Sequence, residues 1–152
     1  MDKQYYPVEI EEKWSKIWSE KVLSNKDSDA SFSQVIPPPN VTGTLHMGHS
    51  FQYAIMDFYT RYHHMSGKDA HWQVGADHAG IATQMVVENN LAKKDVTRKE
   101  LGREKFLEEV WSWKNYSEEK ITSQIKRLGC SVDWNKYRLS LIHISEPTRR
   151  YE

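Results

Sequence analysis

Three consecutive prolines at positions 37–39 constrain the fold of this chain more than any other feature. Proline has no amide hydrogen to donate to a sheet, so the strand predicted at 32–36 must end there. A polar turn that contains Gly43 follows the prolines. After this turn, apolar residues recur with helical spacing, at Phe51, Ala54, Ile55, Phe58, Tyr59 and Tyr62. The segment therefore predicts a strand, a tight turn and a helix.

The same pattern occurs a second time, with a strand predicted at 71–75 and a helix at 79–91. Strand, helix, strand and helix joined by short links are typical of a βαβ unit, in which the strands are parallel and the crossover is right-handed. The sequence therefore predicts an α/β fold.

Helices are predicted on both sides of this unit. The first, at 6–23, carries one apolar face formed by Ile10, Trp14, Ile17 and Trp18. Thr97 and Glu100 form a capping box that begins a helical region. One helix is predicted at 101–116, and a further helix ends at Gly129. Residues 130–137 are expected to return to the sheet.

Composition limits the function classes. The chain has 152 residues and equal numbers of acidic and basic side chains, so its net charge does not indicate a DNA partner. The single cysteine, Cys130, excludes an internal disulfide and a cysteine-based zinc site, and it fits a reducing cytoplasm. No apolar run approaches the roughly 20 residues that span a bilayer, so no membrane partner is expected.

The strongest chemical feature lies where the first predicted helix begins. The unpaired amides of a helix start favour anions. His46 and His49 are three residues apart and can face one ligand, while Gly48 lets that ligand approach the backbone. A bound polyphosphate would hold both imidazoles protonated as donors. These residues predict a nucleotide site, although neither G-x-x-x-x-G-K-[ST] nor G-x-G-x-x-G is present.

The second feature, at 75–84, also lies at a predicted strand-to-helix junction. Since parallel strands end at the same edge, Asp77 is expected to open onto the same crevice and to pair with a ligand ammonium. A simple helix cap is the alternative interpretation of Asp77. A metal hydrolase would use His46, His49, Asp77 and His78, but the H-E-x-x-H arrangement is missing. The sequence therefore predicts no metal site.

Residues 37–49 and 77–84 resemble class I aminoacyl-tRNA synthetases, in particular the valine-specific branch. The match covers about residues 5–138. The HIGH motif of that family corresponds here to Pro39, Asn40, Val41, Thr42, Gly43, Thr44, Leu45, His46, Met47, Gly48 and His49.

This resemblance implies the first half of a Rossmann-type parallel sheet with an N-terminal helix and following helices, which is an incomplete domain. It also implies ATP-dependent ligation of L-valine to valine tRNA through valyl-adenylate. ATP with Mg²⁺ is then a substrate, and no prosthetic group is bound. By this resemblance His46 and His49 are catalytic. The implied ATP-binding residues are Thr44, His46, Gly48 and His49, and the implied amino-acid-binding residues are Pro38, Pro39, Asn40 and Asp77.

Three segments follow from the resemblance: an N-terminal helix and loop at 1–31, the N-terminal half of the catalytic domain at 32–138, and a non-native tail at 139–152. The lysine-rich loop that completes the family's ATP site, the editing domain and the anticodon-binding helices are missing. The isolated chain is therefore expected to have little or no activity. The alternative is a truncated paralogue that binds a nucleotide or an amino acid without catalysis.

Overall fold

The computed structural model describes residues 6–19 and 28–140. The chain divides into two compact units. The first comprises Met1–Pro37, Leu45–Val74 and Thr122–Tyr137, and the second comprises Pro38–Thr44, Gly75–Ile121 and Arg138–Glu152. Each unit is described by itself.

The first unit contains a βαβ element, as predicted. Strand β1 (Ser31–Val35) is followed by helix α2 (Met47–Met65) and strand β2 (Asp69–Gln73), while helix α1 (Pro7–Ser19) precedes them. The strands β1 and β2 are parallel, with Ser31 opposite Asp69 and Val35 opposite Gln73. The prediction of parallel strands joined by a helix is confirmed, although both strands begin one or two residues earlier than predicted.

Helix α2 packs on this strand pair through buried aromatic and polar contacts. Tyr53 and Trp72 are fully buried, with their rings edge to face at a centroid distance of 6.4 Å. Gln34 of β1 donates from Nε2 to the carbonyl of Met56 at 2.6 Å and to the hydroxyl of Thr60 at 2.5 Å. These hydrogen bonds hold the helix on the strands in addition to the apolar contacts.

The second unit contains a second parallel pair, which the sequence did not predict. Strand β3 (Gly75–Asp77) pairs with β4 (Arg138–Ser140). The prediction of a single strand at 71–75 was wrong, because β2 ends at Gln73 and a separate strand, β3, covers Gly75–Asp77. Asp77 is the last residue of β3, and the strand-to-helix junction predicted there is confirmed. Gly75 permits the pairing, since a Cβ on it would overlap the carbonyl oxygen of Arg138. The return to a sheet predicted at 130–137 occurs instead at β4, after a short 3₁₀ helix, Trp134–Lys136.

Three helices complete the description: α3 (Gly80–Ala92), α4 (Arg98–Leu101) and α5 (Arg103–Arg127). In the second unit, Val87 and Leu91 of α3 pack against Phe106 of α5 in a buried cluster. The predicted capping box is confirmed, since Thr97 and Glu100 hydrogen-bond reciprocally at the start of α4.

Two successive helices predicted after residue 101 are in fact one. Helix α5 runs without a break for 25 residues, because no glycine or proline interrupts positions 103–127. It ends before Gly129, which has a φ of +72°. The predicted glycine stop is therefore confirmed.

Parts of three predicted segments lie outside the described residues. These are 20–23 of the first predicted helix, 1–5 and 20–27 of the segment predicted at 1–31, and 141–152 of the predicted tail. Leu139 and Ser140 of that tail belong to β4. Within the described residues, none of the helices is both long and apolar enough to cross a bilayer.

Gly129 supports a stability prediction, because its missing side chain makes room for α1. A Cβ there would lie 2.8 Å from Cζ3 of Trp18, and its φ is in the left-handed region. Gly67, which also follows a helix, has a similar φ of +84° but open space around it. We expect Gly67→Ala to lower the free energy of unfolding by about 1 kcal/mol from backbone strain alone. Gly129→Ala should cost about 1–3 kcal/mol more from overpacking.

Urea denaturation of both variants measures this difference. Equal losses would show that Trp18 yields freely and that its contact with Gly129 contributes nothing.

Candidate functional site

The first turn of α2 is capped by its two histidines. His46 occupies the N-cap with extended backbone (φ −119°, ψ 173°). Its Nδ1 accepts a hydrogen bond from the amide of Gly48 at 3.1 Å. In return, Nδ1 of His49 accepts from the amide of His46 at 3.2 Å. The spacing of three residues, which predicted a shared ligand, thus also builds a reciprocal cap in which imidazoles take the place of hydroxyl and carboxylate.

This cap fixes the protonation of both rings. A ring nitrogen that accepts a hydrogen bond carries no proton, so each imidazole is neutral and carries its hydrogen on Nε2. Burial, and secondarily the neighbouring His46, lower the pKa of His49 below its usual 6.5. The ring centroids are 3.9 Å apart. The site therefore presents two neutral N–H donors beside the free amides of a helix start.

Gly48 makes the cap possible. A Cβ on Gly48 would lie 3.0 Å from Cε1 and 3.1 Å from Nδ1 of His46. The space that glycine leaves open is thus used by the imidazole of His46. That Gly48 also admits a ligand stays a prediction.

Behind the histidines lies a buried aromatic series. The ring of His49 is 6.0 Å from that of Tyr53, which in turn contacts Trp72. Burial, with a smaller contribution from Cys130, raises the pKa of the Tyr53 phenol to about 12. Tyr53 therefore stays protonated near neutral pH, and it supports the histidine ring as a packing residue.

In the second unit, the HIGH-motif backbone pairs with the end of β3. The amide of Asp77 donates to the carbonyl of Pro39 at 2.9 Å, and the amide of Val41 donates to the carbonyl of Asp77 at 2.9 Å. Asn40 and Asp77 are thereby bridged as in a parallel sheet. The structure brings these predicted amino-acid-binding residues together. Pro39 is buried, whereas Pro38, Asn40 and Thr44 are exposed.

The Asp77 side chain is only 9% exposed. Its Oδ1 accepts from the amide of Ala79 at 2.8 Å and lies 3.5 Å from Nδ1 of His78. Ala79 has a φ of +52° and precedes α3. The carboxylate therefore stabilises the turn before α3. The alternative interpretation as a helix N-cap was wrong in position, because Ala79 is the N-cap and has no side-chain cap bond.

The predicted residues form two groups. His46, Gly48 and His49 lie in the first unit, while Pro38, Pro39, Asn40, Thr44 and Asp77 lie in the second. The convergence of the histidines and Asp77 on one crevice stays a prediction. For the metal-hydrolase alternative, residues 6–19 and 28–140 contain no group of three or more side chains that could hold a metal ion.

Sequence reasoning missed three residues of α5 that contact the HIGH-motif loop. They are Trp113, Ser117 and Gln124. Their helical spacing was visible, but nothing in it distinguished polar side chains that bind a loop from polar side chains on a solvated face.

Comparison with known proteins places the chain in a family. Residues 9–147 match the family of tRNA synthetases class I (I, L, M and V). The chain belongs to this family. The chain is 55% identical over 138 residues to the valine–tRNA ligase of Acinetobacter baylyi, and this match covers 90% of the chain. It is 55% identical to that of Neisseria meningitidis serogroup A and 49% identical to that of Francisella tularensis, over 88% and 93% of this chain.

The chain spans only about 14–16% of the length of these curated relatives. Its fold is similar to the agnB2 LeuRS of Agrobacterium radiobacter K84, solved as a ternary complex with tRNA and LeuAMS. The TM-score is 0.69 at 19% identity, covering 90% of this chain and 16% of that one. At this identity the likeness concerns the fold alone.

The lowered pKa of His49 gives a testable consequence. In the unfolded chain this histidine titrates near 6.5, so the unfolded state binds the proton more readily between the two pKa values. The stability from neutral His49 is therefore present above pH 6.5 and is lost as the pH falls through the folded pKa. We expect NMR titration of His49 to give a pKa below 6.5, with the proton on Nε2 at neutral pH.

His46→Ala should raise the pKa of His49 only in part, because burial is the larger cause. A titration of His49 at or above 6.5, or a proton on Nδ1, would contradict the neutral cap.

Proposed function

We propose that this chain is the N-terminal part of a valine–tRNA ligase, an enzyme that activates L-valine with ATP and transfers it to valine tRNA. The observation that carries the proposal is the identity of 49–55% to three valine–tRNA ligases across about nine-tenths of the chain. We further propose a cytoplasmic enzyme. The parallel strands and helices between residues 32 and 138 support a Rossmann-type half-domain there. The boundaries of an N-terminal helix and loop at 1–31 and of a tail at 139–152 remain part of this proposal.

The histidine pair is proposed to act on ATP. The Nε2–H groups of His46 and His49 donate to phosphate oxygens, beside the amides that open α2. As the valine carboxylate attacks the α-phosphorus, the bond to pyrophosphate breaks and negative charge grows on the leaving group. Neutral donors already held by their cap stabilise this charge without reorganising. Magnesium accompanies ATP and neutralises part of its charge. Thr44 and Gly48 complete the proposed ATP contacts.

Asp77 is proposed to hold the ammonium of valine. Its carboxylate is shielded from water, where a pairing with a cation is stronger than at the surface. Asn40 is bridged to Asp77, and the carbonyl of Pro39 accepts the Asp77 amide. This proximity supports the proposal that both residues shape the valine pocket. Pro38 adjoins them in sequence. Proline fixes its own backbone, which favours a rigid wall for a small apolar side chain.

The second candidate is a paralogue that binds ATP or valine without catalysis. The observation that favours it is that Oδ1 of Asp77 and Nδ1 of both histidines already accept hydrogen bonds from the chain's own amides. It differs from the first proposal in one measurable respect: its residues would not support adenylate formation in any context.

A chimera distinguishes the two. In it, this chain replaces the matching segment of the Acinetobacter baylyi valine–tRNA ligase. We expect valine-dependent ATP–pyrophosphate exchange by the chimera and none by the chain alone. His49→Ala should lower the exchange rate constant by about 10²–10³-fold, as removal of one preorganised donor does, with little change in valine KM. His64→Ala in the last turn of α2 is the matched control and should leave exchange unchanged.

A soluble, folded chimera without exchange would favour the binding module. Exchange that survives His49→Ala at its full rate would remove the histidine from the proposed chemistry.

Asp77 requires a substitution that separates its two roles. Asp77→Asn keeps an Oδ1 acceptor for the Ala79 amide but removes the charge. We expect it to raise the valine KM by at least about tenfold, since a charge-assisted bond contributes about 1.5–3 kcal/mol, while the ATP KM stays within twofold. Valine-dependent exchange in the chimera measures both constants. An unchanged valine KM in Asp77→Asn would leave only the turn as the role of Asp77.

A further inference from the structure

Helix α5 supplies three side chains to the backbone of the loop that leads into α2. Nε1 of Trp113 donates to the carbonyl of Val41 at 3.1 Å. Oγ of Ser117 donates to the carbonyl of Gly43 at 2.7 Å. Oε1 of Gln124 accepts from the amide of Leu45 at 2.9 Å.

The spacing of these contacts is regular on both partners. On α5, position 117 lies about one turn after 113, and position 124 lies about two turns after 117. The three side chains therefore share one face of the helix. The loop groups belong to every second residue, 41, 43 and 45. Two of these bonds, to residues 41 and 43, lie within the second unit, and the bond of Gln124 to Leu45, which directly precedes His46, lies within the first.

The contacts are sheltered from water where the loop begins. Val41 is fully buried and Ser117 is 1% exposed. Val41 is held at both of its backbone groups, since its amide donates to Asp77 and its carbonyl accepts from Trp113. Removing a partner from a buried polar group costs more than removing one at the surface. Loss of these bonds therefore loosens the loop instead of exchanging protein partners for water.

We propose that Trp113, Ser117 and Gln124 are positioning residues for adenylate formation. They touch no substrate. In the first unit, Gln124 holds Leu45 so that the adjoining capped pair, His46 and His49, presents its Nε2–H groups at the distance and angle that the ATP phosphates require. In the second unit, Trp113 and Ser117 hold residues 41 and 43 of the chain segment that leads to Leu45. Displacement of a catalytic group by about 1 Å costs up to about 10²-fold in rate, so a loop tether can control the reaction from a distance. This inference rests on the proposed function.

Gln124 gives the sharper test, because its acceptor can be removed or kept at similar size. In the chimera, Gln124→Met removes the oxygen that accepts from Leu45, whereas Gln124→Glu retains an oxygen at that place. We expect Gln124→Met to lower the kcat of valine-dependent exchange about tenfold, equivalent to one hydrogen bond, with the valine KM within twofold. Gln124→Glu should keep kcat within about threefold of the parent chimera. In activation free energy, a threefold change is less than half of the tenfold loss expected for Gln124→Met.

Ser117 gives a second test with a matched control on the same helix. Ser117→Ala should lower kcat about tenfold, as the loss of one hydrogen bond does, again with the valine KM within twofold. Ser112→Ala is the same substitution at an exposed position that makes no bond to the loop, and it should leave kcat unchanged. In Ser117→Ala and Gln124→Met, amide hydrogen exchange of the peptide 41–49 should be faster than in the parent chimera, which locates the change in the loop.

Three results would overturn the proposal: an unchanged kcat in both Ser117→Ala and Gln124→Met, an equal loss in Gln124→Glu and Gln124→Met, or kcat losses that merely follow a lowered melting temperature. Failure of the proposed function has a different signature. In that case the parent chimera, with the natural residues at 112, 117 and 124, gives no exchange at all.

Discussion

Three prolines in a row supply no amide hydrogens, so the backbone between β1 and α2 needs partners outside a continuous ladder. Those partners come from two places. Asp77 accepts from and donates to the backbone on either side of Asn40, and α5 holds the following residues with side chains. The loop is therefore ordered by elements distant in sequence. This explains how a segment with little regular structure can hold the residues of the proposed site in place.

The strand–helix–strand element could be predicted, because prolines and glycines mark the ends of its elements and its helix has a clear apolar period. The histidine pair and the Thr97–Glu100 cap were also local patterns, so they could be read directly. The pairing of β3 with β4 could not, since it joins three-residue strands separated by about 60 positions. Local patterns likewise did not predict that α5 is continuous, nor that its polar face binds a loop instead of water.

In the histidine cap, the hydrogen bonds that Nδ1 accepts leave the hydrogen of each ring on Nε2. A charged imidazolium at this place would oppose the positive end of the helix dipole and would also lose the bond that its Nδ1 accepts. Two charged rings at 3.9 Å would repel each other as well. Neutral rings avoid these costs while keeping a hydrogen on Nε2. The same bonds that start α2 therefore set the chemical character of the groups that point away from it.

The close approach of two strands at Gly75 has a consequence for variation at this position. Any amino acid other than glycine would bring its first side-chain atom into the main-chain oxygen of Arg138. The size, polarity and charge of the new side chain do not matter, because every residue other than glycine carries the Cβ that overlaps this oxygen. Position 75 therefore accepts only glycine as long as β3 and β4 remain paired. A selection from a fully randomised library would have to return the parental residue or separate the two strands.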